Sequence, residues 1–434
     1  MTRERDTIFA LSSGRPPCAI AIIRVSGPQA LAAAQVITGR DLPEARRASL
    51  RQFRAPVSGE LIDEGLLLWF PATQSITGEP LVEFHCHGSQ AVVRDLQASL
   101  ATITGLRAAD AGDFTRRAFA NGRMDLASVE GLGDLLVAET AQQRRAAIAM
   151  MGGALSRKIA TWTRDIRRLA AQVEARLDFS DEDDVAGAGD LANLGEAIGT
   201  IAREIADDLA KPSAERLRDG VRVAIGGPPN AGKSTFFNAL IGRDAAIVSP
   251  IAGTTRDVIE ASVSIGGVPM VIADSAGLRE AGDAVERIGI DRAEALLNTA
   301  DIILWLGDAA DIPDTSGLLI QLFPKADLAD EAAPTGPGYR LSAVTGTGMD
   351  ELIAALIAAA NRLMPAPGDY ALSQRQRQAL GRAVESLSEA ATLRDEILVS
   401  ECLRMALLAL DELTGQVTTE AVLDELFSGF CIGK

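Results

Sequence analysis

Hydrophobic spacing changes twice along this chain, and the changes divide it into segments. Short apolar runs come first. Ala19–Ile23 and Leu66–Phe70 read as buried strands, and Gln90 to Leu100 has the period of a helix, so residues 1–118 are expected to form an α+β domain. From Ile148 the positions Ile148, Met151, Leu155, Ile159, Trp162, Ile166, Leu169, Val173 and Leu177 recur every three or four residues, which predicts one long amphipathic helix. The acidic run Asp181 to Asp184, with Gly187 and Gly189, ends it, and a further helix is expected from about Leu191 to Leu209. Helical spacing resumes at Leu380, Val384 and Leu387 and continues through Ile397 to Leu413. A last helix starts near Thr418-Thr419, which can cap its free amides, and runs to about Phe427. Between the two helical stretches, 119–216 and 364–434, a different segment is inserted at 217–363. The fold class is therefore α/β plus α.

At 434 residues the chain is too long for one core. Its 47 % hydrophobic and 23 % charged residues are ordinary for a globular protein. No apolar stretch reaches the roughly 18 residues that span a bilayer, and the start, MTRERDTIFALSSG, has neither a long apolar core nor a small-residue cleavage site. A cytoplasmic protein with no membrane partner is expected. Cys18, Cys86, Cys402 and Cys431 are too scattered for a disulfide framework or a paired zinc pattern. His85-Cys86-His87 lies in a strand-like run, where neighbours point to opposite faces and do not easily share one ion. The formal net charge of −17 excludes binding of phosphate backbones by bulk electrostatics. Any RNA contact must come from a partner or a local patch, for which Arg116-Arg117 and Arg144-Arg145 are candidates.

The inserted segment carries the chemistry. GPPNAGKS (Gly227 to Ser234) follows the apolar run Val221–Ile225 and opens a helical stretch from Ser234 to Ile241, the context a phosphate-binding loop requires. Gly227 and Gly232 let backbone amides close around phosphates, Lys233 reaches the β- and γ-phosphates, and the Ser234 hydroxyl suits Mg²⁺. Asn230, Ala231, Gly232, Lys233, Ser234 and Thr235 are the candidate loop contacts. IAGTTRD (Ile251 to Asp257) can form a switch in which Thr255 reaches Mg²⁺ and the γ-phosphate. Asp274-Ser275-Ala276-Gly277 follows the strand Met270–Ala273. Asp274 can hold a water on Mg²⁺, and the Gly277 amide can sense the γ-phosphate. Ser342-Ala343 could touch a guanine edge. Together these motifs point to a nucleoside triphosphatase.

Two positions depart from the usual pattern. Leu278 stands where many GTPases place a water-orienting glutamine, so another polar group is needed, and Glu286 is the nearest candidate. The base-reading motif, usually Asn-Lys-x-Asp, is Pro324-Lys325-Ala326-Asp327. Asp327 can still accept from guanine N–H groups and Lys325 can lie along the base, but the asparagine contact is lost. One buried hydrogen bond is worth about 0.5–1.5 kcal/mol, so guanine preference is expected to survive with weakened affinity. The stretch from Asp308 to Phe323 is short for a crossover helix, which is expected to be truncated.

With GPPNAGKS, IAGTTRD, DSAGLREAGDAVERIGI (Asp274 to Ile290), AGDFTRRAFANGRMDL (Ala111 to Leu126) and the terminal FCIGK (Phe430 to Lys434), the chain resembles the MnmE (TrmE) family of tRNA-modification GTPases over nearly its whole length. The resemblance implies a homodimer with an N-terminal folate-binding domain, a discontinuous helical bundle and an inserted Ras-like G domain with a doubly wound sheet. It implies a flavoprotein partner of the MnmG (GidA) type in a heterotetramer, with FAD and NADH on that partner and tRNA held mainly through it. The implied product is an aminomethyl or carboxymethylaminomethyl group on carbon 5 of a tRNA wobble uridine. The one-carbon unit would come from a 5,10-methylene or 5-formyl tetrahydrofolate. GTP, Mg²⁺ (Ser234, Thr255) and K⁺ (Asn230, Ser249, Ile251, Thr254) are the implied nucleotide and ions, with Glu286, Lys233 and Thr255 catalytic. Folate contacts carry over to Arg24, Glu83, Arg123 and Lys434, and Cys431 is the tail thiol. The competing reading is a regulatory or ribosome-assembly GTPase switch, which leaves FCIGK and the N-terminal run unexplained.

Overall fold

A computed structural model describes residues 6–178, 189–244, 246–249, 259–274, 294–308, 315–328, 337–366, 369–417 and 419–433. The chain divides into two compact units, Met1–Gly133 with Asp411–Lys434, and Asp134–Leu410.

The first unit is built on a sheet of six strands: β1 Thr7–Leu11, β2 Cys18–Ser26, β3 Ser49–Arg54, β4 Leu61–Phe70, β5 Leu81–Gly88 and β6 Leu106–Ala108. Their order is β3-β4-β5-β2-β1-β6, antiparallel throughout except for the parallel β1–β6 pair. Helices Ala30–Thr38 and Gln90–Ala101 cover one face, where Ala34, Ile37, Leu96 and Leu100 bury Ile23, Phe53, Leu67 and Phe84. On the opposite face of β2 and β4, Ile20 and Leu66 are exposed and Ile22 and Leu68 half-buried. The strands expected at Ala19–Ile23 and Leu66–Phe70 are present, but they are not buried on both sides. Ala21, Ile23 and Leu67 are inside, whereas Ile20 is 62 % and Leu66 40 % exposed. An antiparallel sheet covered on one face buries only alternate residues.

The second unit holds a sheet of seven strands: β7 Val221–Gly226, β8 Ala246–Ser249, β9 Ile259–Ile265, β10 Val268–Asp274, β11 Ile302–Leu306, β12 Leu318–Phe323 and β13 Tyr339–Arg340. The order β13-β12-β11-β7-β10-β9-β8 runs parallel from β13 to β10, and β9 and β8 are antiparallel. Helices Lys233–Asp244 and Met349–Leu363 pack on one face through Phe236, Leu240, Leu352 and Leu356. Leu297 and Ala300 cover Ile303 and Trp305 on the other. Both faces of β11 are thus filled, as its continuous apolar sequence demands, whereas Leu318 and Leu319 at the start of β12 are exposed. The expected truncation between β11 and β12 falls largely on 309–314, outside the described residues.

The long helix expected from Ile148 is two helices, Ala141–Met151 and Ala154–Asp178. Gly152-Gly153 separates them, with Gly153 at φ 76, a left-handed conformation that ends a helix. Ile148 consequently falls off the buried face and is 47 % exposed, while Leu155, Ile159, Trp162, Ile166, Leu169 and Val173 remain inside. The helix Gly189–Leu209 lies against Gln374–Thr392, and Gly195 lets them approach: a Cβ there would stand 2.7 Å from the Ala391 carbonyl oxygen. The acidic run 181–184 lies outside the described residues. Thr419 precedes the helix Glu420–Ser428 but its side chain makes no capping bond, and Thr418 is not described.

The chain enters and leaves the seven-stranded region side by side. Ser213 bridges Leu372, and the Ala214 amide donates to the Leu372 carbonyl at 3.0 Å. Beside this stem Asp208, 2 % exposed, gathers three donors. Lys158 Nζ reaches its two oxygens at 2.7 and 2.8 Å, Lys211 Nζ lies at 2.9 Å, and the Tyr370 hydroxyl donates at 2.5 Å.

Candidate functional site

The phosphate loop lies where β7 turns into the helix Lys233–Asp244, at the carboxyl end of the parallel strands, the usual ligand edge of such sheets. Gly227 has φ 144, Asn230 φ 64 and Gly232 φ 92. Positive φ at three positions of one short loop lets its backbone curl so that amides can face a bound anion. At Gly227 a Cβ would collide with the Leu306 carbonyl oxygen, so glycine is required twice over.

Lys233 is 7 % exposed, and its Nζ donates at 2.8 Å to both the Gly227 and the Pro228 carbonyls. The loop thus holds its own cation across its mouth. Ser234 Oγ donates to Asp274 Oδ2 at 2.8 Å, joining the start of the helix to the end of β10. Asp274 is fully buried. A hydroxyl and a carboxylate in contact are hard oxygen donors of the kind Mg²⁺ takes beside a nucleotide. Asn230 and Thr235 are exposed beside the same loop. Ser249 ends β8, and only its backbone is described. Ile251, Thr254, Thr255, Gly277, Leu278 and Glu286 lie outside the described residues.

The base side is assembled from two loops. The Ala326 amide donates to the Leu341 carbonyl at 3.1 Å, which locks the Pro324–Asp327 turn to β13. Lys325 sits at φ 62. Ser342 is fully buried and its Oγ accepts from the Val344 and Thr345 amides. A hydrogen bond with Ser342 also holds the Asp327 carboxyl below its usual range, so it stays an acceptor near neutral pH. Ala343 is half-buried next to it. Between this turn and the phosphate loop lies a cavity of about 300 Å³, lined by Pro228, Ala231, Phe323, Pro324, Lys325 and Arg340 among others. Arg340 has no place in the base motif, and spacing alone gave no signal for it.

In the first unit, Arg24 and Glu83 face each other across β2 and β5 and form an ion pair with Nη2–Oε1 at 2.8 Å. His85 Nε2 lies 3.2 Å from Glu83 Oε2. The His85 bond, assisted by Arg24 and opposed by burial, lowers the Glu83 pKa. Arg123 is held elsewhere: its Nη2 donates to the Ala72 carbonyl at 2.7 Å. His87 Nδ1 is 2.8 Å from Asp63 Oδ1. Burial, with a contribution from Asp63, pushes the Cys86 thiol up to about 11, so it stays protonated. Among the described residues no group of His, Cys, Asp and Glu could hold a metal ion.

The carboxyl-terminal tail is seated on this same unit. Phe427 and Phe430 are buried against Val129, Ile432 bridges Ala111, and Ser12 Oγ donates to the Gly433 carbonyl at 2.8 Å. Cys431 is exposed; Lys434 lies outside the described residues. Of the candidate RNA patch, Arg117 is committed to this architecture, while Arg116 is paired but stays partly exposed. Arg116 pairs with Glu420 and Asp424, while Arg117, 11 % exposed, pairs with Asp6 and Glu79. Arg144 and Arg145 are exposed on the helix Ala141–Met151. No helix among the described residues is long and apolar enough to cross a membrane.

Residues 126–431 match the family described as MnmE helical domain, and residues 7–123 match that described as GTP-binding protein TrmE N-terminus. A protein of Erythrobacter litoralis (strain HTCC2594) named tRNA modification GTPase MnmE is 50 % identical over 431 residues, covering 99 % of this chain and 100 % of its own. Two more of that name, from Rhizorhabdus wittichii (strain DSM 6014) and Zymomonas mobilis subsp. mobilis (strain ATCC 31821), are 51 % and 47 % identical. Both alignments span 99 % of this chain, and 97 % and 100 % of the relatives. A phosphate loop, a Ser234–Asp274 pair, a base turn and a docked tail thus coincide with full-length similarity, and the chain belongs to the MnmE (TrmE) family.

Proposed function

We propose that this chain is a potassium-activated GTP hydrolase that works with a flavoprotein of the MnmG (GidA) type. Together they would place an aminomethyl or carboxymethylaminomethyl group on carbon 5 of the wobble uridine of certain tRNAs. The observation that carries the reading is the pairing of Lys233, fixed over the loop, with Ser234 and Asp274 in contact at its base. Ser234 would hold Mg²⁺ with Thr255, and Asp274 would orient its water. Mg²⁺ held there would draw negative charge off the phosphates. Lys233 would supply positive charge to the same oxygens on exchanging its bonds to the Gly227 and Pro228 carbonyls for phosphate.

Asn230 presents an exposed carboxamide at the loop. With Ser249, Ile251 and Thr254 it is the proposed K⁺ site, placing a cation where other GTPases use an arginine. Glu286 is the proposed water-orienting group. On the first unit, Arg24 and Glu83 offer a cation and an acceptor suited to the carboxylates and pterin edge of a tetrahydrofolate, with Arg123 and Lys434 completing the set. The tail supports this assignment, since Gly433 is held at Ser12, beside the β1–β2 hairpin that carries Arg24. The domain boundaries proposed are 1–118, 119–216 with 364–434, and 217–363. The homodimer, the heterotetramer with the flavoprotein and a cytoplasmic location belong to the same reading.

GTP turnover by the purified protein in potassium and sodium buffers, alongside tetrahydrofolate binding, tests it. Much faster hydrolysis in potassium together with folate binding is expected. Equal rates and no folate affinity would reduce the proposal to a generic switch.

A further inference from the structure

The cavity between the phosphate loop and the Pro324–Asp327 turn is short of polar groups. Pro228, Ala231, Leu306, Phe323, Pro324 and Leu328 contribute apolar walls, and among the described lining residues Lys325 and Arg340 alone have polar side chains. Both are cations. Arg340 ends β13, is exposed, and is paired in register with Phe323, immediately before Pro324. Its neighbour Leu341 is buried and ties the base turn to β13 by accepting from Ala326. The backbone that carries Arg340 is therefore fixed relative to the base turn.

We propose that Arg340 is a specificity-determining residue that donates to the O6/N7 edge of guanine, supplying a contact that Pro324 cannot make. This deepens the nucleotide reading given above and rests on it. The chemistry is selective. Guanine presents two acceptors on that edge, which a guanidinium meets with two parallel donors. Adenine presents one acceptor and an amino donor, which a guanidinium meets badly. Asp327 accepts from the opposite edge, and its lowered pKa keeps it ionised for that task. Guanine would then be read from two sides by side chains of opposite charge, Asp327 for its N–H groups and Arg340 for O6 and N7.

The test is displacement of a fluorescent GDP from the full chain by GDP, 7-deaza-GDP and ADP. Wild type, Arg340→Ala and Arg340→Lys are compared. Wild type is expected to bind GDP several-fold more tightly than 7-deaza-GDP. Arg340→Ala is expected to lose about tenfold in GDP affinity and to bind GDP and 7-deaza-GDP alike, with a reduced preference over ADP. Arg340→Lys keeps the charge with a single-point donor and should fall between. An unchanged GDP/7-deaza-GDP ratio in Arg340→Ala would overturn the proposal, whether or not overall affinity drops, because a structural role weakens both ligands equally. Failure of wild type to prefer GDP over ADP would overturn the underlying base-site reading and the proposal with it.

Discussion

Replacing Asp208 by asparagine should loosen the stem that carries the seven-stranded region. Asp208 accepts from Lys158, Lys211 and Tyr370 at 2.5–2.9 Å, and its side chain is 3 % exposed. Removing one member of a fully buried ion pair costs about 3–5 kcal/mol. Here the lysine side chains are 44 % and 29 % exposed, so both ammonium groups regain water and their share is screened. Asparagine also keeps one oxygen for Tyr370. The expected loss is therefore about 2–4 kcal/mol. In a unit of this size it appears as a fall in melting midpoint of roughly 3–7 °C.

The pH dependence gives a second signature. Burial works to raise the Asp208 pKa, but the bonds from Lys158, Tyr370 and Lys211 outweigh it, so the value is lowered. A lowered folded value adds stability above the unfolded pKa, near about 4, and that stability is lost as pH falls through the folded value. Tyr370 is raised, by burial first and then by Asp208, and Lys211 is raised because its bond to Asp208 outweighs burial. Their contributions are complete below about pH 10 and are lost as pH climbs through the folded values. Calorimetry should thus show a wild-type advantage that is flat from about pH 5 to 9 and shrinks on both sides. A midpoint shift under about 1 °C at neutral pH, or an advantage undiminished in acid, would refute the reasoning.

Gly227→Ala should abolish tight GDP binding, as read by fluorescence titration, because strain at φ 144 and the clash with Leu306 both distort the cradle. Ser234→Ala should raise the Mg²⁺ concentration needed for half-maximal GTP hydrolysis while leaving the melting midpoint within a degree or two of wild type. Phe427→Ala should cost about 3–5 kcal/mol and free the tail to proteolysis. Arg116→Ala, whose pairs are exposed, should cost less than about 2 kcal/mol in the same unfolding assay.

What could be read in advance follows the range of the forces involved. Lys233, Ser234 and Gly227 belong to one turn whose geometry is set by its own residues, so spacing alone revealed them. Asp274 was visible because it ends an apolar strand. Burial was harder. Ile20 and Leu66 look like core residues within their own runs, and only the arrangement of helices on a single face of the sheet decides otherwise. The Gly152-Gly153 break is masked in the sequence because the apolar period continues through it, whereas backbone geometry does not. Arg117 looked like surface charge because its partners, Asp6 and Glu79, lie 111 and 38 residues away in sequence. The Ser12–Gly433 bond spans 421 residues, so the tail motif gave the residues but not where they dock. Arg340 stands in no motif, and it is noticed only when Pro324 and the phosphate loop close a cavity around it.

The central claim is that GTP turnover at Lys233 serves chemistry on a tRNA base. Mass spectrometry of nucleosides from tRNA tests it most directly, in cells lacking this chain and complemented with wild type or Lys233→Ala. The account predicts that the wobble-uridine C5 modification disappears on deletion, returns with wild type and stays absent with Lys233→Ala. Full modification in the deleted cells would contradict it.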